Sequence, residues 1–146
     1  MLLPEYFTLK ELTATATGLP NFPETWQVIE NLLTTAKVLD DIRHLFGAPI
    51  KVTSGYRSAS VNSAIGGSRT SAHRKGLAAD IQPARATQAK MKELATICKG
   101  RLRAFGLDQV IIYTDDGTAT GSIKWVHVGL PGPSTMARNQ LLYKKG

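Results

Sequence analysis

The sequence predicts an α+β domain in which an antiparallel sheet is backed by helices. Three observations predict it: a long apolar stripe at helical spacing early in the chain, a shorter helical segment further on, and four short strand-like runs placed around it. At 146 residues, 42% of them hydrophobic, the chain can bury one real core but is too short for two full domains. No internal repeat, low-complexity stretch or Ser/Gly/Pro linker divides it, so residues 1–146 read as one unit.

The elements follow in order. Residues 24–46 set Val28, Ile29, Leu32, Leu33, Ala36, Leu39, Ile42 and Phe46 on one helical stripe, which Gly47 and Pro49 stop. Residues 49–54 (PIKVTS) have the β-rich look of a strand, closed by Gly55. Residues 59–65 make a brief helix ahead of Gly66 and Gly67, and a polar loop over 68–76 leads to a second apolar run at 77–81. A second long helix covers 86–99, with Gly100 as its stop. Two further strands, 109–114 (QVIIYT) and 123–130 (IKWVHVGL), flank the turn-rich DDGTATG. The single cysteine, Cys98, falls inside the second helix; it cannot form an internal disulfide and reads as a buried thiol.

Charge and composition narrow the function classes. Eighteen Lys and Arg against eleven Asp and Glu give a formal charge of +7, which attracts polyanions in general, from nucleic acid to cell-wall polymer. The basic residues are scattered apart from Lys144 and Lys145, and aromatics make up only 7%, so no specific nucleic-acid partner is expected. No apolar run approaches the roughly 20 residues of a membrane helix. The opening MLLPEYFTLKEL has no basic start followed by a long apolar stretch, and no secretory signal is read there.

Three histidines are candidates for chemistry. His44, beside Arg43 in the first long helix, reads as a surface or helix-end residue. His73 lies in the Gly/Ser-rich loop, and Asp80 follows in a short apolar strand, where a carboxylate is costly unless paired or bound to a metal. His127 lies within WVHVG, where a period of two puts Ile123, Trp125, His127 and Gly129 on one face. Two imidazoles and a carboxylate are the ligand set of a catalytic zinc, with a fourth position open. On spacing alone, unrelated core or surface histidines remain the alternative.

The surrounding residues add a second line of argument. The run Ser71-Ala72-His73-Arg74-Lys75-Gly76-Leu77-Ala78-Ala79-Asp80 matches S-x-H-x-x-G-x-A-x-D. This resembles the signature of zinc D-alanyl-D-alanine carboxypeptidases and related phage L-alanyl-D-glutamate endopeptidases. The likeness extends through YFTLKEL, PNFP, FGAPIKVTSGYRS, VNSAIGG, LDQVI and the final WVHV. It implies a hedgehog/DD-peptidase-like fold, a Zn²⁺ cofactor, and His73, Asp80 and His127 as its ligands. In the same way it implies that Arg57 faces the substrate, binding a peptide carboxylate or the anionic tetrahedral intermediate through its planar fork. Ser71, Tyr56, Gln109 and Trp125 are expected at the substrate, with loop capping the alternative for Ser71 and core packing for Trp125. Asn62 is expected to tie the loop ahead of the two glycines to backbone. Small Gly76 and Ala78 are expected to let the chain turn close to the metal.

The chemistry implied is metal-assisted amide hydrolysis, which needs a general base. Here the chain departs from the pattern. Relatives place an acid three residues before the last ligand histidine or at the end of the strand after an Asp-Gln pair; this chain has Lys124 and Tyr113 there. Asp115 and Asp116, just past that strand, are the candidate bases, with Asp108 a third, and as residues of TDDG the first two also read as turn formers. The expected partner is bacterial peptidoglycan, and a monomer is expected. The resemblance implies a bacteriophage endolysin or virion-associated lysin, made in the host cytoplasm and acting at the wall or within the particle. A peptidoglycan-binding or structural virion component on the same fold, weak or inactive in catalysis, is the alternative motivated by the missing base.

Overall fold

A computed structural model describes residues 3–146; Met1 and Leu2, the first residues of the stretch read for a leader, lie outside the described residues. The stripe at 24–46 becomes α2, Trp26–Phe46, preceded by a short α1, Leu9–Leu12. Thr25 caps α2, its hydroxyl accepting from the Val28 N–H and satisfying one of the free donors of the first turn. Leu32, Ala36, Leu39, Ile42 and Phe46 are buried along its inner face. Asp40, on the same helix, accepts from the backbone N–H groups of Glu5 and Tyr6 at 2.6 and 3.0 Å, which fastens the N-terminal segment to α2. His44 is exposed as expected, 3.2 Å from the Glu5 carboxylate.

The other elements are β1 (Ile50–Ser54), α3 (Ala59–Ala64), a 3-10 turn (Ala72–Lys75), β2 (Ala78–Pro83), α4 (Gln88–Gly100), β3 (Gln109–Thr114), β4 (Ile123–Gly129) and β5 (Gln140–Lys145). The sheet order is β1-β2-β4-β3-β5. The first four strands pair antiparallel, as expected; β5 adds a parallel edge beside β3 and makes the sheet mixed. Neither β5 nor α1 is foreseen by the sequence reading.

Alternation along the strands divides the sheet into two faces. Ala79 and Ile81, Val110 and Ile112, and Val126 and Val128 enter the core with α2 and α4. Cys98 is buried there, and burial pushes its thiol up to about 12, so it is inert packing rather than a nucleophile. The intervening residues, Asp80, His127, Ile111 and Tyr113 among them, face the opposite side. Two bulges adjust this rule. On β4, Trp125 pairs Tyr113 but Ile123 pairs Thr114, so an extra residue at Lys124 swings Ile123 onto the helix-facing side, where it packs against the core. The expected shared face of Ile123 with Trp125 and His127 is thereby corrected. On β1, Val52 pairs Ile81 and Ser54 pairs Asp80, so the extra residue Thr53 turns Ser54 beside the Asp80 carboxylate.

Candidate metal centre

Each charged group of the centre is placed by backbone structure. A side chain at position 55 would collide with the Leu12 carbonyl of α1, and the neighbouring Tyr56 N–H donates to that carbonyl at 2.7 Å. Glycine therefore lets β1 end flush against α1, and its own carbonyl turns inward to accept from His73 Nδ1 at 2.7 Å. The 3-10 turn carrying His73 is capped by Ser71, whose hydroxyl accepts from the His73 N–H at 3.2 Å. Gly76 ends it with a φ of +74°, and a Cβ there would press on the Val28 carbonyl and Leu32. Gly76 is thus needed twice, for the left-handed turn just after His73 and for the close approach of α2. Thr35 and Asn31 of α2 donate to the carbonyls of Gly76 and Lys75 and hold this turn against the helix.

His73, Asp80 and His127 converge, all three buried, with one ligand atom from each lying within 4.8 Å of the others. His127 Nδ1 is 2.9 Å from Asp80 Oδ1, and His73 Nε2 is 3.4 Å from the same oxygen. Burial works to raise the Asp80 carboxyl, but its hydrogen bonds with His127 and His73 outweigh burial and hold it well below the usual carboxylate range. The Gly55 carbonyl can only accept, so His73 donates to it from Nδ1, and Nε2 is the ring atom that faces Asp80. Two imidazole nitrogens and one carboxylate oxygen, buried and converging, fit a metal ion by their donor chemistry, and the Gly55 carbonyl is the outer partner that a ligand imidazole requires.

Arg57 stands at the edge of this group. Its Nε donates to Ser54 Oγ at 2.9 Å and its Nη2 to Asp80 Oδ2 at 3.3 Å, while its backbone N–H binds the His73 carbonyl. Burial lowers its pKa, with Asp80 and then Tyr113 opposing, yet a guanidinium so far above neutrality stays charged. The centre opens into a cleft of about 620 Å³, within the range of ligand sites. Ser71, Gln109, Tyr113 and Trp125 line it with Arg57. Tyr113 and Trp125 stack at 4.5 Å and 19°. Burial chiefly raises the Tyr113 phenol, Asp80 adding to the rise and Arg57 opposing it, so at neutral pH it is a proton-bearing donor.

The remaining expected residues fall elsewhere. Tyr56 is 2% exposed and belongs to the hydrophobic core, so it presents no surface to a substrate; alternation at the end of β1 sends it inward while Arg57 turns to the cleft. Asp115 and Asp116 lie outside the cleft lining. Asp115 Oδ1 accepts from the Ser122 N–H at 2.9 Å, and Asp116 Oδ1 accepts from the Thr118 N–H and hydroxyl at 2.9 and 2.8 Å. These are turn contacts that keep both carboxylates on their own hairpin, which removes the motive for assigning them as bases. Asp108 does line the cleft, but Arg138 clasps both its oxygens, at 3.1 Å from Nε and 2.8 Å from Nη2. Lys124 reaches the Gly146 carbonyl at 3.3 Å. Asn62 makes the expected side-chain bond to backbone, but it reaches past Gly66 and Gly67 to the Ser68 carbonyl at 2.8 Å and ties the loop that follows them. Arg138 and Lys144, which sequence reasoning did not single out for the site, also line the cleft.

An α+β domain with a His-Asp-His group at the floor of an open cleft defines a candidate metallohydrolase. The comparisons make this specific. The family model described as Peptidase M15 matches residues 5–128, and the chain belongs to that family. A search of curated proteins found no match.

Proposed function

We propose that the protein is a zinc-dependent peptidase that hydrolyses peptide bonds in the stem peptides of bacterial peptidoglycan, as a cell-wall lysin of the phage type its signature resembles. The observation that carries this reading is the convergence of His73, Asp80 and His127 beneath an open cleft in a member of the M15 family. Two nitrogen donors and one oxygen donor suit zinc and leave a coordination position open. When bound, the ion would polarise the scissile carbonyl and activate a water.

The chain's own groups supply the rest. Arg57 has its Nε and Nη2 anchored on Ser54 and Asp80, which leaves Nη1 to donate to a substrate oxygen that gains charge in the transition state. Tyr113 holds its proton and donates from the opposite side of the cleft. The Tyr113 and Trp125 rings give the peptide an apolar bed. Asp108 is the only cleft carboxylate besides Asp80 among the described residues.

A second reading, a peptidoglycan-binding protein that turns over slowly, is favoured by one observation: Asp108 is locked to Arg138, so no unengaged carboxylate faces the centre. One experiment separates the two. Release of free amines from purified peptidoglycan is followed with the zinc-loaded protein, with chelator, and with His127→Ala. Chelator-sensitive release that His127→Ala abolishes while its circular dichroism is unchanged establishes the peptidase; retention of peptidoglycan in a pull-down without amine release establishes the binder. Activity that survives complete metal removal would sink the zinc reading.

A further inference from the structure

The family model stops at residue 128, and the chain beyond it builds one wall of the cleft. From Gly129 a loop passes Arg138, whose clasp on Asp108 pins it, and enters β5. The parallel register with β3 then decides which β5 side chains face the cleft. Leu141 and Tyr143 pair with Val110 and Ile112 and share the helix side; Lys144 pairs with Tyr113 and shares the cleft side. Lys144 extends the row that Trp125 and Tyr113 begin. Two strand spacings separate β5 from β4, so Lys144 stands roughly 10 Å across the sheet from the strand of His127.

Four cationic side chains line the cleft, Arg57, Lys75, Arg138 and Lys144, against the carboxylates of Asp80 and Asp108. Arg57 is held by Asp80 and Arg138 by Asp108. Lys75 and Lys144 form no ion pair among the described residues. Lys75 stands on the opposite wall, two residues from His73 on the 3-10 turn. Lys144 alone carries an uncommitted charge on the β5 side, next to an aromatic bed. We propose that Lys144 is a specificity-determining residue that binds a carboxylate of the substrate peptide about three residues from the scissile bond, so that the cleft takes acidic peptides laid across the strands with Arg57 at one end and Lys144 at the other. The proposal rests on the peptidase reading of the metal centre for the place of the scissile bond, but the binding it describes does not require turnover.

The alternation of β5 supplies its own control. Lys145 pairs with Thr114 and points to the other face, and it does not line the cleft. Lys144→Gln and Lys145→Gln change net charge equally. Both variants and the unaltered protein are titrated with a synthetic stem pentapeptide carrying free carboxylates and with the same peptide amidated at each in turn, following tryptophan fluorescence and, where amines are released, KM and kcat. Lys144→Gln is expected to weaken binding or raise KM for the acidic peptide about three- to fivefold with kcat little changed, the size of an exposed ion pair. One amidated peptide should show the same loss with the unaltered protein and no further loss with Lys144→Gln, and Lys145→Gln should match the unaltered protein. Equal losses in the two lysine variants, or a Lys144→Gln protein that still prefers the acidic peptide, overturns the proposal. Unaltered protein that binds the acidic peptide in a Lys144-dependent way without releasing amines overturns the peptidase reading instead and leaves the subsite standing; absence of any binding preference for the acidic peptide overturns the subsite.

Discussion

The two ends of the cleft are built on opposite terms. On the β1 and β2 side the groups of the centre hold one another: Arg57 on Ser54 and Asp80, Asp80 on both histidines, His73 on the Gly55 carbonyl, with Lys75 outside this network. On the β3 and β5 side the groups are more exposed, the Asp108–Arg138 clasp lies at the surface, and Lys144 has no ion-pair partner among the described residues. The first end is preorganised around the buried Asp80 carboxylate; the second leaves its polar groups available to a ligand. A site of this kind separates chemistry from recognition, because groups locked together cannot adapt to different substrates and loose groups cannot hold a reacting atom in place.

The largest effect expected is from breaking the locked end. Asp80→Ala removes one of the three candidate metal donors and the common partner of Arg57, His73 and His127, and leaves only the two imidazoles to hold an ion. Amine release should fall on the order of a thousandfold or more, the several kcal/mol that a catalytic metal contributes. The same variant should lose the rise in thermal midpoint that added zinc gives the unaltered protein. A zinc-dependent shift that persists in Asp80→Ala would place the metal elsewhere. Next in size is Arg57→Ala, expected to lower kcat about a hundred- to a thousandfold, as loss of a transition-state donor does. Arg57→Lys should not restore it, because a single ammonium cannot bind Ser54 and Asp80 and still offer a third hydrogen bond; full rescue by lysine would show that only charge matters at that end.

The locked end is also the part that was legible in the sequence. Residue types and spacing made His73, Asp80 and His127 candidates with unrelated histidines still the alternative, and the likeness of the run 71–80 and of WVHV to the peptidase signature joined them as one set. The helices were readable from their apolar stripes. What escaped depends on pairing between distant segments. The bulges at Thr53 and Lys124 exist only relative to a partner strand, so no local pattern announces that Ser54 turns toward Asp80 or that Ile123 leaves the cleft face. The strand β5 is half polar, lies at an edge and joins by a parallel pairing across a Pro- and Gly-containing loop, so QLLYKK carried no strand signal and Lys144 read only as part of a basic tail. Tyr56 was drawn to the site by its neighbour Arg57, although adjacent residues of extended chain point to opposite sides. The aspartates of TDDG were already ambiguous, and local hydrogen bonds decided for the turn.

The open end should respond in smaller steps. Tyr113→Phe keeps the stack on Trp125 and removes one donor, so kcat should fall about fivefold, the worth of one hydrogen bond of roughly 1 kcal/mol. A loss as large as that of Arg57→Ala would move Tyr113 from the adaptable end to the reacting one.

The smallest effect tests what holds the β5 wall in place. Arg138 draws the Asp108 carboxyl below its ordinary value chiefly by side-chain hydrogen bonding, with burial opposing. A carboxyl whose pKa is lower folded than unfolded stabilises the fold above its unfolded value, near pH 4, and that contribution is lost as pH falls through the folded value. Arg138→Ala should therefore cost less than about 1 kcal/mol at pH 7, as exposed pairs do, and the gap from the unaltered protein in urea denaturation should narrow below about pH 4. Salt should narrow it as well, since the pair is open to solvent. A gap that ignores both pH and salt would mean that Arg138 holds the loop through the packing of its stem or its backbone N–H bond to Asp108, and that the wall carrying Lys144 is as rigid as the metal end it faces.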